Sequence, residues 1–205
     1  MKGTRKDWFP SPIWHFPVDN HEYLNLKLLK LIEDEYAQDP RGIQMSNILG
    51  WHSVDNLNKR DDFQDFMKII MDNVLEIANF LKWDLEQVVL TINNCWAMIN
   101  RKFSSNSVHD HPNSLLSGVY YIKSPKDCGG LLFRDPRVAA HRILPPYLEL
   151  TPWTMPSVTY KPVEGTMIIF PSWLTHGVEP NLSDEERISI SFNIGVKSYQ
   201  GTSNK

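Results

Sequence analysis

The sequence predicts an α+β fold in which two helices come first and a block of short strands follows, the helices backing one face of a sandwich or barrel. Two observations carry this. The apolar period changes from 3.6 to 2 after Trp83. Seven Trp, seven Tyr, nine Phe and fourteen Pro suit a β-rich chain with many turns. The size agrees: 205 residues, 41% apolar and 22% charged, is ordinary globular usage for one domain and excludes a disordered chain. Lys plus Arg number 21 against 24 Asp plus Glu, a net charge of −3. That balance provides no basic field to hold a phosphate backbone, so a dedicated nucleic-acid binder is not expected.

Taken in order, the chain opens with a charged stretch, Met1-Lys2-Gly3-Thr4-Arg5-Lys6-Asp7, and no apolar run follows it. A secretory signal is therefore not expected, nor is a membrane span, and a cytoplasmic location is. Cys95 and Cys128 are too few for a disulfide scaffold and wrongly spaced for a zinc knuckle. Phe9-Pro10-Ser11-Pro12-Ile13-Trp14 is extended, because each Pro removes an N–H and biases its predecessor away from helix. Asp19 or Asn20 can cap a first helix that carries Leu24, Leu28, Leu31, Ile32 and Tyr36 on one stripe and ends at Pro40-Arg41-Gly42. A second helix starts at Asp61 or Asp62 and presents Phe63, Phe66, Met67, Ile70, Val74, Ile77, Ala78 and Leu81 at helical spacing. Strands are expected at 88–92, 95–99, 115–122, 131–134, 165–170 and 187–196. Turns are expected at Asn93-Asn94, Pro125-Lys126-Asp127 and Asn181-Leu182-Ser183-Asp184. Residues 1–87 thus form mainly helical support and 88–205 the β core of a single domain 1–205. An irregular insertion at about 141–160, with four prolines, is a candidate lid.

Three of the seven histidines stand out. His109 and His111 flank Asp110 just ahead of a strand, and residues i and i+2 of an extended chain point to one face. His176 follows another strand by a short turn and can bring a third imidazole to the same point. Imidazole suits Fe, Zn, Cu and Ni alike, so the nitrogens do not choose the metal. His15, His21, His52 and His141 lack such a setting and read as surface or packing residues. Farther along, alternation puts Arg187, Ser189 and Ser191 on one face of the last strand and Ile188 and Ile190 on the other. An inward guanidinium needs an anion, and carboxylate is its natural partner through paired hydrogen bonds. Tyr121 can add a hydroxyl. An internal salt bridge or an outward Arg187 is the plainer alternative.

These stretches lie in order along nearly the whole chain, together with Ser46-Asn47-Ile48-Leu49-Gly50-Trp51-His52-Ser53, Ser117-Gly118-Val119-Tyr120-Tyr121 and Gly129-Gly130-Leu131-Leu132-Phe133-Arg134-Asp135-Pro136-Arg137. So do Gly165-Thr166-Met167-Ile168-Ile169-Phe170-Pro171-Ser172-Trp173-Leu174-Thr175-His176 and Glu186-Arg187-Ile188-Ser189-Ile190-Ser191-Phe192-Asn193. The pattern resembles the Fe(II)- and 2-oxoglutarate-dependent oxygenases, more narrowly the group found in marine bacteria and their phages. The resemblance implies a double-stranded β-helix (jelly-roll, cupin-like) core, Fe(II) as metal and 2-oxoglutarate as cosubstrate. It further implies hydroxylation of a substrate, with succinate and CO2 as coproducts. Arg187 and Ser189 match the Arg-x-Ser element that holds the distal carboxylate of 2-oxoglutarate, and Tyr121 matches a tyrosine serving the same carboxylate. Asn193 and Asn100 would face the same interior.

The superfamily binds iron through His-x-Asp/Glu and a distal His; here His111 stands in the acidic position. Three ligand sets follow: His109, His111 and His176; Asp110 in place of one imidazole; or His111 with Asn113 beside a more open site. Two other functions fit parts of the pattern, a three-His cupin-type dioxygenase without 2-oxoglutarate and an inactive β-helix binding module. The substrate, a small molecule or a protein side chain, is open, and Trp153 and Tyr147 of the insertion are candidate contacts. Trp8, Phe9 and Trp14 can pack on their own domain or on a partner chain, so the oligomeric state, a homodimer included, is open too.

Overall fold

Strand alternation divides the core in two. The computed structural model describes residues 3–199; the opening stretch and the 1–205 domain expectation run into residues 1–2 and 200–205, which lie outside the described residues. The elements are β1 (Trp14–Pro17), α1 (His21–Gln38), β2 (Asn47–Ile48), β3 (Trp51–His52), α2 (Gln64–Phe80), β4 (Val88–Asn100), β5 (Ser105–His109), β6 (Leu116–Lys123), β7 (Leu131–Arg134), β8 (Ser157–Tyr160), β9 (Thr166–Pro171), β10 (His176–Val178) and β11 (Arg187–Tyr199). They form a six-stranded sheet, β1-β9-β6-β11-β4-β3, and a five-stranded sheet, β2-β5-β10-β7-β8. All the strand pairings within them are antiparallel. This is the double-stranded β-helix architecture with helical support.

One face of the large sheet, through Cys95, Ala97, Tyr120, Met167, Ile190 and Phe192, packs with Leu28, Ile32, Phe66, Ile70 and Val74 of the two helices. The alternate residues Val119, Tyr121, Ile168 and Phe170 form a second cluster with Leu131, Phe133 and Leu174, between the sheets. Each fully buried Ile or Phe here contributes about 1.5–3 kcal/mol of apolar transfer. Period-2 alternation therefore does two jobs: even positions of β11 anchor the helices, and odd positions face the interior.

Several expected boundaries move. Asn93-Asn94 is not a turn: β4 runs unbroken through it, and the register with β11 shifts between Asn193 and Ile194. A bulge absorbs the extra residue that the polar pair signalled. Helix α1 starts where expected, but Asn20 is left-handed (φ 53°) and its side chain makes no cap. A 3-10 turn at Asp61–Phe63 precedes α2, whose stripe is buried as expected save Leu81, 36% exposed past the helix end. The insertion ends in β8, an edge strand paired with β7. Strands β5 and β10, both short and polar, carry no sequence period, yet they bring the histidines together.

Candidate functional site

The site starts from one register. His109 ends β5, His176 begins β10, and the two are direct cross-strand partners. His111 lies two residues beyond β5, its backbone N–H bonded to the Ser172 carbonyl at 3.0 Å. Ring centroids stand 4.8 Å apart for His109–His111, 4.5 Å for His109–His176 and 5.1 Å for His111–His176. One ligand atom from each lies within 4.8 Å of the others. The i, i+2 reading of the pair, with a third imidazole from afar, describes this cluster; Asp110 is exposed outside it, and Asn113 is exposed with φ 68°.

The ring chemistry is set for coordination. His109 Nδ1 lies 2.7 Å from the Ser107 carbonyl and His176 Nδ1 lies 2.9 Å from that of Leu174. A carbonyl only accepts, so each Nδ1 carries the proton and each Nε2 keeps its lone pair. Burial and the neighbouring His109 pull His176 down to about 3 and His111 to about 4. Both are therefore neutral at physiological pH, as a metal ligand must be. Phe170 and Phe133 wall His176 at centroid distances of 4.6 and 6.1 Å. The donor set fits a borderline metal of the Fe, Ni or Zn kind.

The same cavity is lined by Tyr121, Arg187 and Ser189. Ser189 is the register partner of Tyr121, and Arg187 that of Asn100, so four polar side chains from three adjacent strands share one wall. Arg187 is 1% exposed, which discards the outward alternative. No carboxylate pairs with it: Nη1 donates to the carbonyls of Cys128 and Gly129, and Nη2 has no partner among the described residues. Asn100 Nδ2 is buried and likewise unpartnered. Burial works against the charge of Arg187 and pushes the Tyr121 phenol up, which keeps its proton available for donation. An uncompensated buried cation costs several kcal/mol, about 3–5 when a partner is stripped from a buried pair. A small anion with carboxylate geometry resolves that cost.

Asn193 stands apart. Its Oδ1 accepts from Ser117 at 2.6 Å and its Nδ2 donates to Asn94 at 2.9 Å, so its amide ties β11 to β6 and β4. Sequence reasoning missed the Cys128 and Gly129 carbonyls, for which Gly129 (φ 77°) is the only trace. It also missed Trp96, which lines the cavity and shares inward parity with Met98 and Asn100. Of the remaining histidines, His52 is buried against Trp96, His141 bonds Asp135 at 2.8 Å, and His15 and His21 lie toward the surface.

Residues 94–193 match the family described as "Putative 2OG-Fe(II) oxygenase". A search of curated proteins found no match. Among solved structures, the chain is similar to a Pseudomonas putida prolyl-4-hydroxylase, at 14% identity over 93% of this chain and 94% of that one, TM-score 0.65. It is also similar to the non-heme α-ketoglutarate-dependent carbocyclase SnoK of nogalamycin biosynthesis, at 14% identity over 94% and 84%, TM-score 0.68. A third is HygX from Streptomyces hygroscopicus, solved with nickel, 2-oxoglutarate and hygromycin B, at 12% identity over 91% and 84%, TM-score 0.61. At these identities the likeness is one of fold.

Proposed function

Because residues 94–193 match the 2OG-Fe(II) oxygenase family, we propose that the chain is an oxygenase whose iron is held by His109, His111 and His176. In this reading it hydroxylates a C–H bond of a small molecule or a protein side chain. The whole of 1–205 acts as one domain, with residues 1–87 as support. The observation that carries the cosubstrate is the buried, unpaired Nη2 of Arg187 in the cavity the histidines line.

When bound, iron and 2-oxoglutarate supply the oxidising chemistry, consuming O2 and releasing succinate and CO2. The chain supplies the rest. The Nε2 atoms of His109 and His176 would hold the metal, with their Nδ1 protons fixed by backbone carbonyls. Arg187 and Ser189, with the Tyr121 hydroxyl, bind the distal carboxylate of the diacid and aim it. Phe133 and Phe170, packed against His176, would help exclude water from a metal held there. The absence of an acidic ligand in the cluster leaves the site one positive charge higher than a two-His, one-carboxylate site. That feature favours a second reading, a three-His dioxygenase that needs no 2-oxoglutarate.

Anaerobic titration with Fe(II) and then 2-oxoglutarate separates them. The expected result is a weak visible charge-transfer band that appears only when both are present. Iron binding without diacid binding identifies the second reading, and binding of neither leaves a scaffold without this chemistry. The insertion is tested through Trp153, 51% exposed beneath the guanidinium of Arg5. If it contacts substrate, Trp153→Ala lowers product formation while succinate release without substrate stays within about twofold; equal loss of both removes that role.

A further inference from the structure

The three imidazoles are not held alike. His109 and His176 each donate Nδ1–H to the carbonyl two residues earlier. His111 has no such anchor: its ring makes no hydrogen bond among the described residues, and only its backbone N–H is tied, to Ser172. Besides the other two imidazoles, its ring meets Trp96, centroids 6.0 Å apart at 54°, within the range of a favourable tilted aromatic pair. Trp96 is itself held from behind. His52 stacks on it at 5.3 Å and 6°, and His52 is 4% exposed with Nδ1 bonded to the Ser53 carbonyl at 2.6 Å. The chain of contacts therefore runs from a fixed backbone carbonyl through two flat rings to the imidazole.

We propose that Trp96, backed by His52, is the positioning residue for His111: a tilted indole contact restrains this ligand's ring where a carbonyl sets the other two. The inference rests on the three-His metal reading given above. A tilted ring contact constrains orientation less sharply than a hydrogen bond does, so His111 is the adjustable ligand of the three. Any flat ring that fills the slot should serve; an aliphatic side chain should not.

The test is Co(II) affinity of the full chain, followed by the visible d–d bands, for wild type, Trp96→Phe and Trp96→Leu. The expected result is wild-type-like binding for Phe, within about threefold, and a loss of roughly 10–100-fold for Leu, the usual size for a lost ligand support. Equal affinity of the Leu variant overturns the inference and leaves the metal reading intact. Failure of wild type itself to bind Co(II) overturns both. Where the Leu variant does not fold, wild type alone decides by proton NMR of the Co(II) form. Two paramagnetically shifted ring N–H signals protected from solvent exchange, from His109 and His176, are expected; three would show His111 anchored by a hydrogen bond and would sink the idea.

Discussion

At the scale of the residue, Arg187 concentrates the energetics of the site. A guanidinium 1% exposed with one nitrogen unpartnered is a standing cost in the absence of an anion. Arg187→Met removes that cost with similar volume. The expected outcome is a thermal midpoint equal to or above wild type without ligand, together with loss of the stabilisation that 2-oxoglutarate gives the Fe(II) or Co(II) form. For wild type that stabilisation is about 2.7 kcal/mol at a hundredfold excess over Kd. A variant that melts lower without ligand and is still protected by the diacid would mean that Arg187 is structural. The inward position of Arg187 was legible in sequence because its strand alternates cleanly with Ile188 and Ile190. Its actual partners were not, since backbone carbonyls at 128 and 129 leave no side-chain signal. Asn193 shows the limit of the same logic. Parity put it inward, but the bulge beside it and its bonds to Ser117 and Asn94 make it a tie between strands.

At the scale of the element, β6 and β11 approach closely at Gly118. Gly118 and Phe192 are register partners, and a Cβ on Gly118 would lie 2.3 Å from Cζ of the Phe192 ring. Phe192 is wholly buried and cannot swing away without opening the helix-side core. Gly118→Ala should therefore cost about 1–3 kcal/mol, read from urea unfolding. Adding Phe192→Leu should recover part of that loss, a coupling that independent sites would not show. Both helices and the long strands could be read from sequence because burial on one face imposes a period. Strands β2, β3, β5 and β10 could not: at two to five residues each, they are paired by their neighbours rather than by their own pattern. The histidine cluster was foreseen all the same, because spacing and the position of strand ends sufficed where strand identity did not.

At the scale of the whole molecule, acid should loosen the fold before any ligand is considered. His176 and His111 titrate at about 3 and about 4 in the folded chain, against 6.5 as ordinary histidines. Below 6.5 the unfolded chain takes up these protons first, so their contribution is complete above that pH and drains away toward about 3. The urea midpoint of metal-free protein should fall between about pH 7.5 and about pH 5, and His176→Asn should flatten the slope; an unchanged slope would show that other groups govern it. Among the described residues no helix is long and apolar enough to cross a membrane. Trp8 and Phe9 are 73% and 89% exposed, whereas Trp14 packs edge-on against Phe80.

If the three histidines hold a metal, the pairing of His109 with His176 across the β5–β10 ladder ties metal binding to correct strand pairing. A slip of one residue there would turn one of the two rings to the opposite face of the sheet. On that reading an ion meeting an unassembled or misaligned chain would find at most the local pair, and the finished sandwich would offer the third nitrogen. Metal binding would then report that β5 and β10 are in register.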